Sequence, residues 1–287
     1  MENVGNDYAQ HFVETRERPQ NYISDGSLDA QFQGYPKLHE LVRRKADIIQ
    51  HTATPPMQLR ADLHTLDLTS LGRHFFDVIV VDPDWSHIDD DFSDTNGRAD
   101  PQRWNFNQLA NLRIPDIAAS PSFVFLWAGN GRGLDLGRKL LVKWGYRRCE
   151  DIVWVKTNKH SRASSAPEPK AVLEHTKEHC LMGIRGTARR STDSHFIHCN
   201  VDTDVIVAEE SPQGTRRKPI ELFHIIEHFC LGRRRLYLFG DSHCARPGWV
   251  TVGSNVKKTD FDVDTYRSYF AEPIGHLVPQ DPGKPKD

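Results

Sequence analysis

Residues 77–82 read Asp-Val-Ile-Val-Val-Asp, four β-branched apolar side chains in a row with no polar residue between them. A strand with one wet face alternates apolar and polar residues. A run without alternation is a strand buried on both faces, and such strands belong to parallel sheets covered by helices on each side. "SFVFLWA" at 122–128 has the same character, and further strands are expected at 148–156, 178–186, 203–209 and 234–240. Helical periods fall between them. "GRGLDLGRKLLVKWG" stops at Gly145, and "KPIELFHIIEHFCLG" opens on Pro219 and ends at Gly232. "PGWVTVG" is expected to be a short strand or turn. Alternating elements of this kind predict a doubly wound α/β sheet without an internal repeat or a second domain. Ligands of such sheets sit off the carboxyl ends of the strands. Residues 82–85, 127–131, 156–159 and 240–244 fall there.

The flanks are simpler. Residues 1–56 form an N-terminal extension: a polar stretch with spaced aromatics that wraps a domain or a partner, then a helix from Pro36 with Leu38, Leu41, Val42, Ile48 and Ile49 on its apolar face. Residues 57–256 are the α/β domain, and 257–287 a polar, proline-rich tail expected to dock loosely. No run of eighteen apolar residues exists, so no membrane span is expected. The N-terminus lacks the apolar core of a secretory signal. The five cysteines are scattered, which argues for a reducing compartment and for cysteines used as small core residues. His195, His198 and Cys199 lie close together but lack a fourth ligand at a familiar zinc spacing, so no metal is expected.

Net charge is -2, yet the charge is unevenly placed. Eight aspartates between Asp77 and Asp100 face only Arg98. Basic residues cluster at Arg132–Arg148, at Arg185–Arg190, at Arg216–Lys218 and at Arg233–Arg235. Four such blocks in a near-neutral chain make a folded polyanion-binding groove plausible, although solvated faces are their default.

The strand 77–82 ends in Asp82-Pro83-Asp84-Trp85. Asp-Pro-Pro-Trp at such a strand end suits methylation of an exocyclic amine. A carboxylate and a proline carbonyl accept the amine hydrogens, an aromatic ring stacks on the base, and two prolines hold the turn rigid. Here Asp84 removes one fixed φ and adds a negative charge. The plainer alternative is a strand end followed by a packed tryptophan. "GNGRG" at 129–133 matches a glycine-rich phosphate loop only weakly, and a strand-to-helix turn is the favoured reading.

"DPDW" followed by "FVFLWAG", "KWGYRRCEDIVWVKTNK", "TKEHCLMGIRGT", "DVIVAEE" and "KPIELFHIIEHF" resembles the MT-A70 family of N6-adenine methyltransferases, and within it the non-catalytic partner-subunit branch. The similarity runs from about Asp7 to about Phe270. It implies a Rossmann-like class I methyltransferase fold in permuted order. It also implies a heterodimer, acting on RNA and mainly mRNA in the nucleus, in which a catalytic MT-A70 subunit binds S-adenosylmethionine while this chain binds none.

Departures from the family pattern sharpen that expectation. Active relatives follow "FG" with an arginine and a histidine–asparagine pair; here the matching positions are Asp241, His243 and Cys244. Asp62 and Lys218 match other cofactor contacts. The turn Asp82, Pro83, Asp84, Trp85 and the cofactor positions are therefore read as degenerate. The family's RNA-guiding groove selects Arg138, Lys143, Arg147, Arg148, Arg189 and Arg190, with Val142 where a family arginine stands. The resemblance thus implies a non-catalytic scaffold and RNA-guiding subunit. The alternatives are an active S-adenosylmethionine-dependent N6-adenine methyltransferase using Asp82 and Trp85, and a transcription or mating regulator acting through protein partners.

Overall fold

A computed structural model describes residues 11, 14–23, 35–85, 103–160, 173, 175–187, 202–211, 215–229 and 233–272. Its centre is β2, Phe76–Val81. Phe76, Ile79 and Val81 face one apolar cluster while Val78 and Val80 face another. The uninterrupted apolar run is thus a strand covered on both sides, as its pattern requires.

Eight strands form one sheet: β1 (Met57–Arg60), β2, β3 (Ala118–Gly129), β4 (Arg147–Thr157), β5 (Lys177–Arg185), β6 (Val205–Glu209), β7 (Arg235–Leu238) and β8 (Trp249–Gly253). Their order is β1-β8-β7-β2-β3-β5-β4-β6. β5 runs antiparallel to both its neighbours, and every other pairing is parallel. The chain leaves β2 toward β3 on one side and arrives at β7 on the other. The strand order therefore reverses between β2 and β7, where α/β sheets open a ligand crevice.

Helices α1 (Pro36–Thr52), α2 (Phe106–Ala110), α3 (Ile114–Ile117), α4 (Arg132–Lys143), α5 (Glu221–Phe229) and α6 (Val263–Ser268) complete the described elements. α2, α3, α4 and α6 contribute Leu109, Ile114, Ile117, Leu136, Leu140 and Tyr266 to one face of the sheet. α5 contributes Leu222, Phe223 and Ile226 to the other. Sequence signals account for several boundaries. Asn105 and Gln108 form a reciprocal capping box on α2. Pro36 opens α1. Gly145 takes φ 75° just after α4.

Of the two readings of "PGWVTVG" the strand holds: β8 is buried along its whole length between β7 and β1. Three expectations change. The segment from 257 does not dock loosely as far as it is described. Tyr266 is fully buried against Phe75, Phe76, Phe261 and Phe270. Asp260 and Thr259 cover the free edge of β1 by accepting the backbone N–H groups of Gln58 and Arg60, which blunts an otherwise exposed strand edge. On α1 the buried stripe runs through Lys45, Ile48 and Thr52, and Leu41 is exposed. Of the described cysteines only Cys180 is buried; Cys149 is exposed and Cys244 half-buried.

The N-terminal segment wraps this domain over the residues described. Asn21 and Asn158 exchange hydrogen bonds: the Asn21 amide donates to the Asn158 side-chain oxygen at 2.8 Å, and the Asn158 backbone N–H donates to Asn21 at 2.8 Å. Arg18 is buried and pairs with Glu210 at 2.8 Å.

Candidate functional site

Val81 pairs with Leu238, so the turns that follow β2 and β7 emerge side by side at the crevice. The tertiary fold thereby brings Asp82–Trp85 against Asp241–Cys244, as the permuted order demands. What each side chain does there differs from a working site.

Asp82 is 5% exposed. Its Oδ2 accepts the Tyr237 hydroxyl at 3.1 Å and its Oδ1 lies 3.5 Å from Lys218 Nζ. Burial pushes its carboxyl up from the usual range, and Lys218 and Arg216 offset this only in part. A carboxylate that is to accept an amine hydrogen needs an open face toward the substrate. Asp82 instead looks into the protein.

Lys218 is shared. Its ammonium donates to Glu178 at 2.5 Å and sits 5.1 Å from the centre of the Trp127 ring. Burial pulls it down, but Asp82 and Glu178 outweigh that and hold it above its ordinary value. Glu178 in turn pairs with Lys156 at 2.7 Å, Lys156 with Glu210 at 3.1 Å, and Glu210 with Arg18. Trp154 and Glu178 are cross-strand partners, so Lys156, two residues on, meets Glu178 diagonally on the same face. Six residues of alternating sign, Asp82 to Arg18, therefore line the carboxyl edge from β2 to the N-terminal segment. Three cations balance three anions, and this mutual pairing is what makes their burial tolerable.

Trp85 is half-buried and does not stand ready to stack on a base. Its indole N–H donates to the Trp127 carbonyl at 2.5 Å. Its ring lies over the "GNGRG" turn, where a Cβ added to Gly129 or Gly133 would come within 3.6 or 3.3 Å of it. A Cβ on Gly133 would fall 2.0 Å from the Ala128 carbonyl oxygen. The glycines thus serve a tight strand-to-helix turn into α4, with Trp85 as its lid.

The positions expected to hold a cofactor are likewise committed. The Asp241 carboxylate accepts the His243 backbone N–H at 2.8 Å, closing its own turn. His243 Nε2 accepts from Arg217 at 2.6 Å. The Cys244 thiol is pushed up to about 12 by burial and is therefore neutral at physiological pH. Asp62 caps its loop by accepting the His64 N–H at 2.9 Å. Phe239, of the "FG" pair, has φ 65° and meets Trp104 edge-on at 5.0 Å, with His64 stacked on Trp104 at 3.9 Å. Asp241, His243, Cys244 and Asp62 thus bring no cation or amide of their own to meet a carboxylate or ribose, a poor fit to S-adenosylmethionine at these positions.

The candidate RNA residues separate cleanly from this crevice. Arg138 and Lys143 are exposed on α4, and Arg147 and Arg148 are exposed at the start of β4, at the opposite, amino edge of the sheet. Arg138 is paired with Asp135 at 3.1 Å. Val142, 77% exposed, lies one helical turn from Arg138 on the same face. Arg189 and Arg190 lie outside the described residues. So does the cluster His195, His198 and Cys199; among the described residues no group of three metal-ligating side chains occurs.

The block Arg233–Arg235 is not a polyanion surface. Arg233 and Arg235 are buried, Arg233 donates to the Thr52 carbonyl at 3.1 Å, and Arg234 forks onto Asp77. Sequence reasoning missed Tyr237, Glu178, Lys156 and Glu210. Their signal was available: polar residues at or just past strand ends on one edge of the sheet.

With that geometry in place, comparison with known proteins decides the family. The MT-A70 profile matches residues 76–255. The chain belongs to the MT-A70 family. It is 51% identical over 276 residues to the N(6)-adenosine-methyltransferase non-catalytic subunit METTL14 of Danio rerio, covering 96% of this chain and 60% of that protein. To the protein of the same description in Drosophila melanogaster it is 53% identical over 274 residues, 94% of this chain and 68% of the relative. Identity to the N(6)-adenosine-methyltransferase catalytic subunit METTL3 of Homo sapiens is 34% over 203 residues, 70% of this chain and 31% of that protein. This MT-A70 chain thus spans 60% of the length of the Danio rerio relative. The profile begins at β2, yet β1 lies outside it and pairs with β8, so the folded MT-A70 unit starts earlier than the matched stretch.

Proposed function

We propose that this MT-A70 chain is the non-catalytic scaffold and RNA-guiding subunit of a heterodimeric N6-adenosine methyltransferase that acts on mRNA in the nucleus. The catalytic MT-A70 partner supplies S-adenosylmethionine binding and methyl transfer. One observation carries the reading: Asp82, the carboxylate an active member would aim at the amine, is buried against Tyr237 and Lys218. Support comes from the cofactor positions Asp241, His243 and Cys244, whose polar groups are spent within their own turn or on Arg217. Relatives named as non-catalytic subunits are more similar to this chain than those named as catalytic subunits.

The basic residues Arg138, Lys143, Arg147 and Arg148 would guide RNA from the amino edge, away from the closed crevice. Titration calorimetry of the heterodimer with S-adenosylmethionine tests the reading. The expected result is one site per heterodimer, retained when Asp82 is replaced by Ala and lost when the partner's own motif is disabled. Saturable binding and methyl transfer by this chain alone, abolished by Asp82→Ala, would establish the active-enzyme alternative instead.

A further inference from the structure

Three consecutive basic residues, Arg216, Arg217 and Lys218, lie over the carboxyl edge, and they are used unequally. Arg216 and Lys218 are consumed in closing the crevice. Arg217 is exposed, and its guanidinium donates to Nε2 of His243 rather than to a carboxylate. Among the described residues no carboxylate lies within 4.0 Å of it. A guanidinium has five N–H donors, so most of its donor capacity faces outward.

The surroundings orient this charge. The Ser211 hydroxyl donates to the Arg217 carbonyl at 2.7 Å and holds its backbone. The His243 ring sits on a turn closed by two contacts to Asp241, from the His243 N–H at 2.8 Å and the Cys244 N–H at 3.1 Å. On the far side of the same turn the Lys257 backbone N–H donates to Ser242 at 2.7 Å, which brings Lys257 and Lys258 alongside. Both lysines are exposed and, among the described residues, neither has a carboxylate within 4.0 Å. The nearby anions Asp84 and Asp241 are already engaged, one with Arg216 and one with its own turn.

An open, pre-oriented guanidinium with two exposed lysines across the adjoining turn suits a polyanion that tracks across a surface better than a small phosphate, which needs an enclosing cradle. We propose that Arg217, positioned by His243, contacts the phosphodiester backbone of RNA, with Lys257 and Lys258 continuing the surface across the Asp241–Cys244 turn. This inference rests on the reading above that the chain serves an RNA-modifying heterodimer. It adds a second anion surface at the carboxyl edge beside β7 and β8, whereas Arg147 and Arg148 lie at the amino edge on β4, four strands along the sheet from β7.

The test measures fluorescence anisotropy of a labelled single-stranded RNA oligonucleotide on the full heterodimer over a range of salt. Arg217→Ala combined with Lys257→Ala and Lys258→Ala should lower the slope of log K against log salt by about 0.7 per lost phosphate contact, with an unchanged melting temperature. His243→Phe, which removes the acceptor, should reproduce part of the Arg217→Ala loss. An unchanged slope in these variants, alongside a reduced slope in Arg147→Ala and Arg148→Ala, overturns this inference and leaves the proposed function standing. An unchanged slope in both sets overturns both. Loss of binding to a phosphoserine peptide with RNA affinity intact would assign the surface to a phosphoprotein and also overturn it.

Discussion

Arg216 reaches across the turn after β2 and pairs with Asp84 at 3.1 Å while donating to the Asp82 carbonyl at 3.0 Å. The residue that breaks the Asp-Pro-Pro-Trp pattern is thus an anchor for the segment that covers the crevice. Half of each side chain is exposed, so the pair contributes less than about 1 kcal/mol. Its effect is on shape. It caps the Asp82 carbonyl and ties Asp84 down, which fixes the turn in its closed form.

Restoring the missing proline should therefore fail to restore chemistry. Asp84→Pro removes the anchor, but Asp82 stays buried with Lys218 and Tyr237. We expect no methyl transfer above background by this chain in a radiometric assay. Measurable turnover in that variant would show that the turn alone was lacking.

The ion chain predicts an asymmetry. Lys218→Met leaves Asp82 and Glu178 buried and short of a cation, and should cost about 3–5 kcal/mol in urea unfolding. Asp82→Asn keeps an acceptor for Tyr237 and leaves Lys218 with Glu178, so it should change stability by less than about 1 kcal/mol. Equal costs would mean that the two residues are not coupled as the distances indicate.

Trp85 separates packing from catalysis. Trp85→Phe loses the bond to the Trp127 carbonyl and should cost about 1–2 kcal/mol. The kcat/KM of the heterodimer should be unchanged at temperatures where the variant is folded. The reverse outcome, activity lost with stability intact, would return Trp85 to a base-stacking role.

Two glycines that look alike in the sequence should differ in cost. Gly133→Ala drives a methyl group into the Ala128 carbonyl and should destabilise by about 3 kcal/mol. Gly145→Ala meets no atom within 4 Å and bears only its positive φ, at about 1 kcal/mol. Thermal melting of the two single variants compares them directly.

The acid limb of stability should carry a signature of Glu178. Burial raises its carboxyl, but Lys218 and Lys156 outweigh this and hold it below its ordinary value of 4.5. The unfolded chain therefore takes up the proton first as pH falls. The stability supplied by Glu178 is complete above that value and drains away below it. Glu178→Gln should be less stable at neutral pH and show a shallower acid limb in pH-dependent unfolding. Asp82, raised by burial, acts in the opposite sense, so the comparison is cleanest in an Asp82→Asn background.

Much of the architecture was legible in the residue pattern. The apolar runs at 77–82 and 122–128 became strands covered on both faces, and Gly145 and Pro36 ended and opened helices where their chemistry dictates. β8 was ambiguous because a five-residue apolar strand flanked by glycines resembles a turn until its neighbours are known. The buried stripe of α1 was misassigned at Leu41 because the choice between Leu41 and Lys45 depends on what the helix packs against.

The sequence by itself determined the sheet, the family and the place of the crevice, because periodicity and strand-end motifs are local properties of the chain. Only the tertiary structure decided what the charged residues do. Arg233 and Arg235 went inside, Arg216 and Lys218 closed the crevice, and Arg217 stayed on the surface, although all five are written alike as basic blocks. An ionic side chain is stable wherever its charge is matched, and the matching partner, such as Asp82 for Lys218, can lie more than a hundred residues away in the chain.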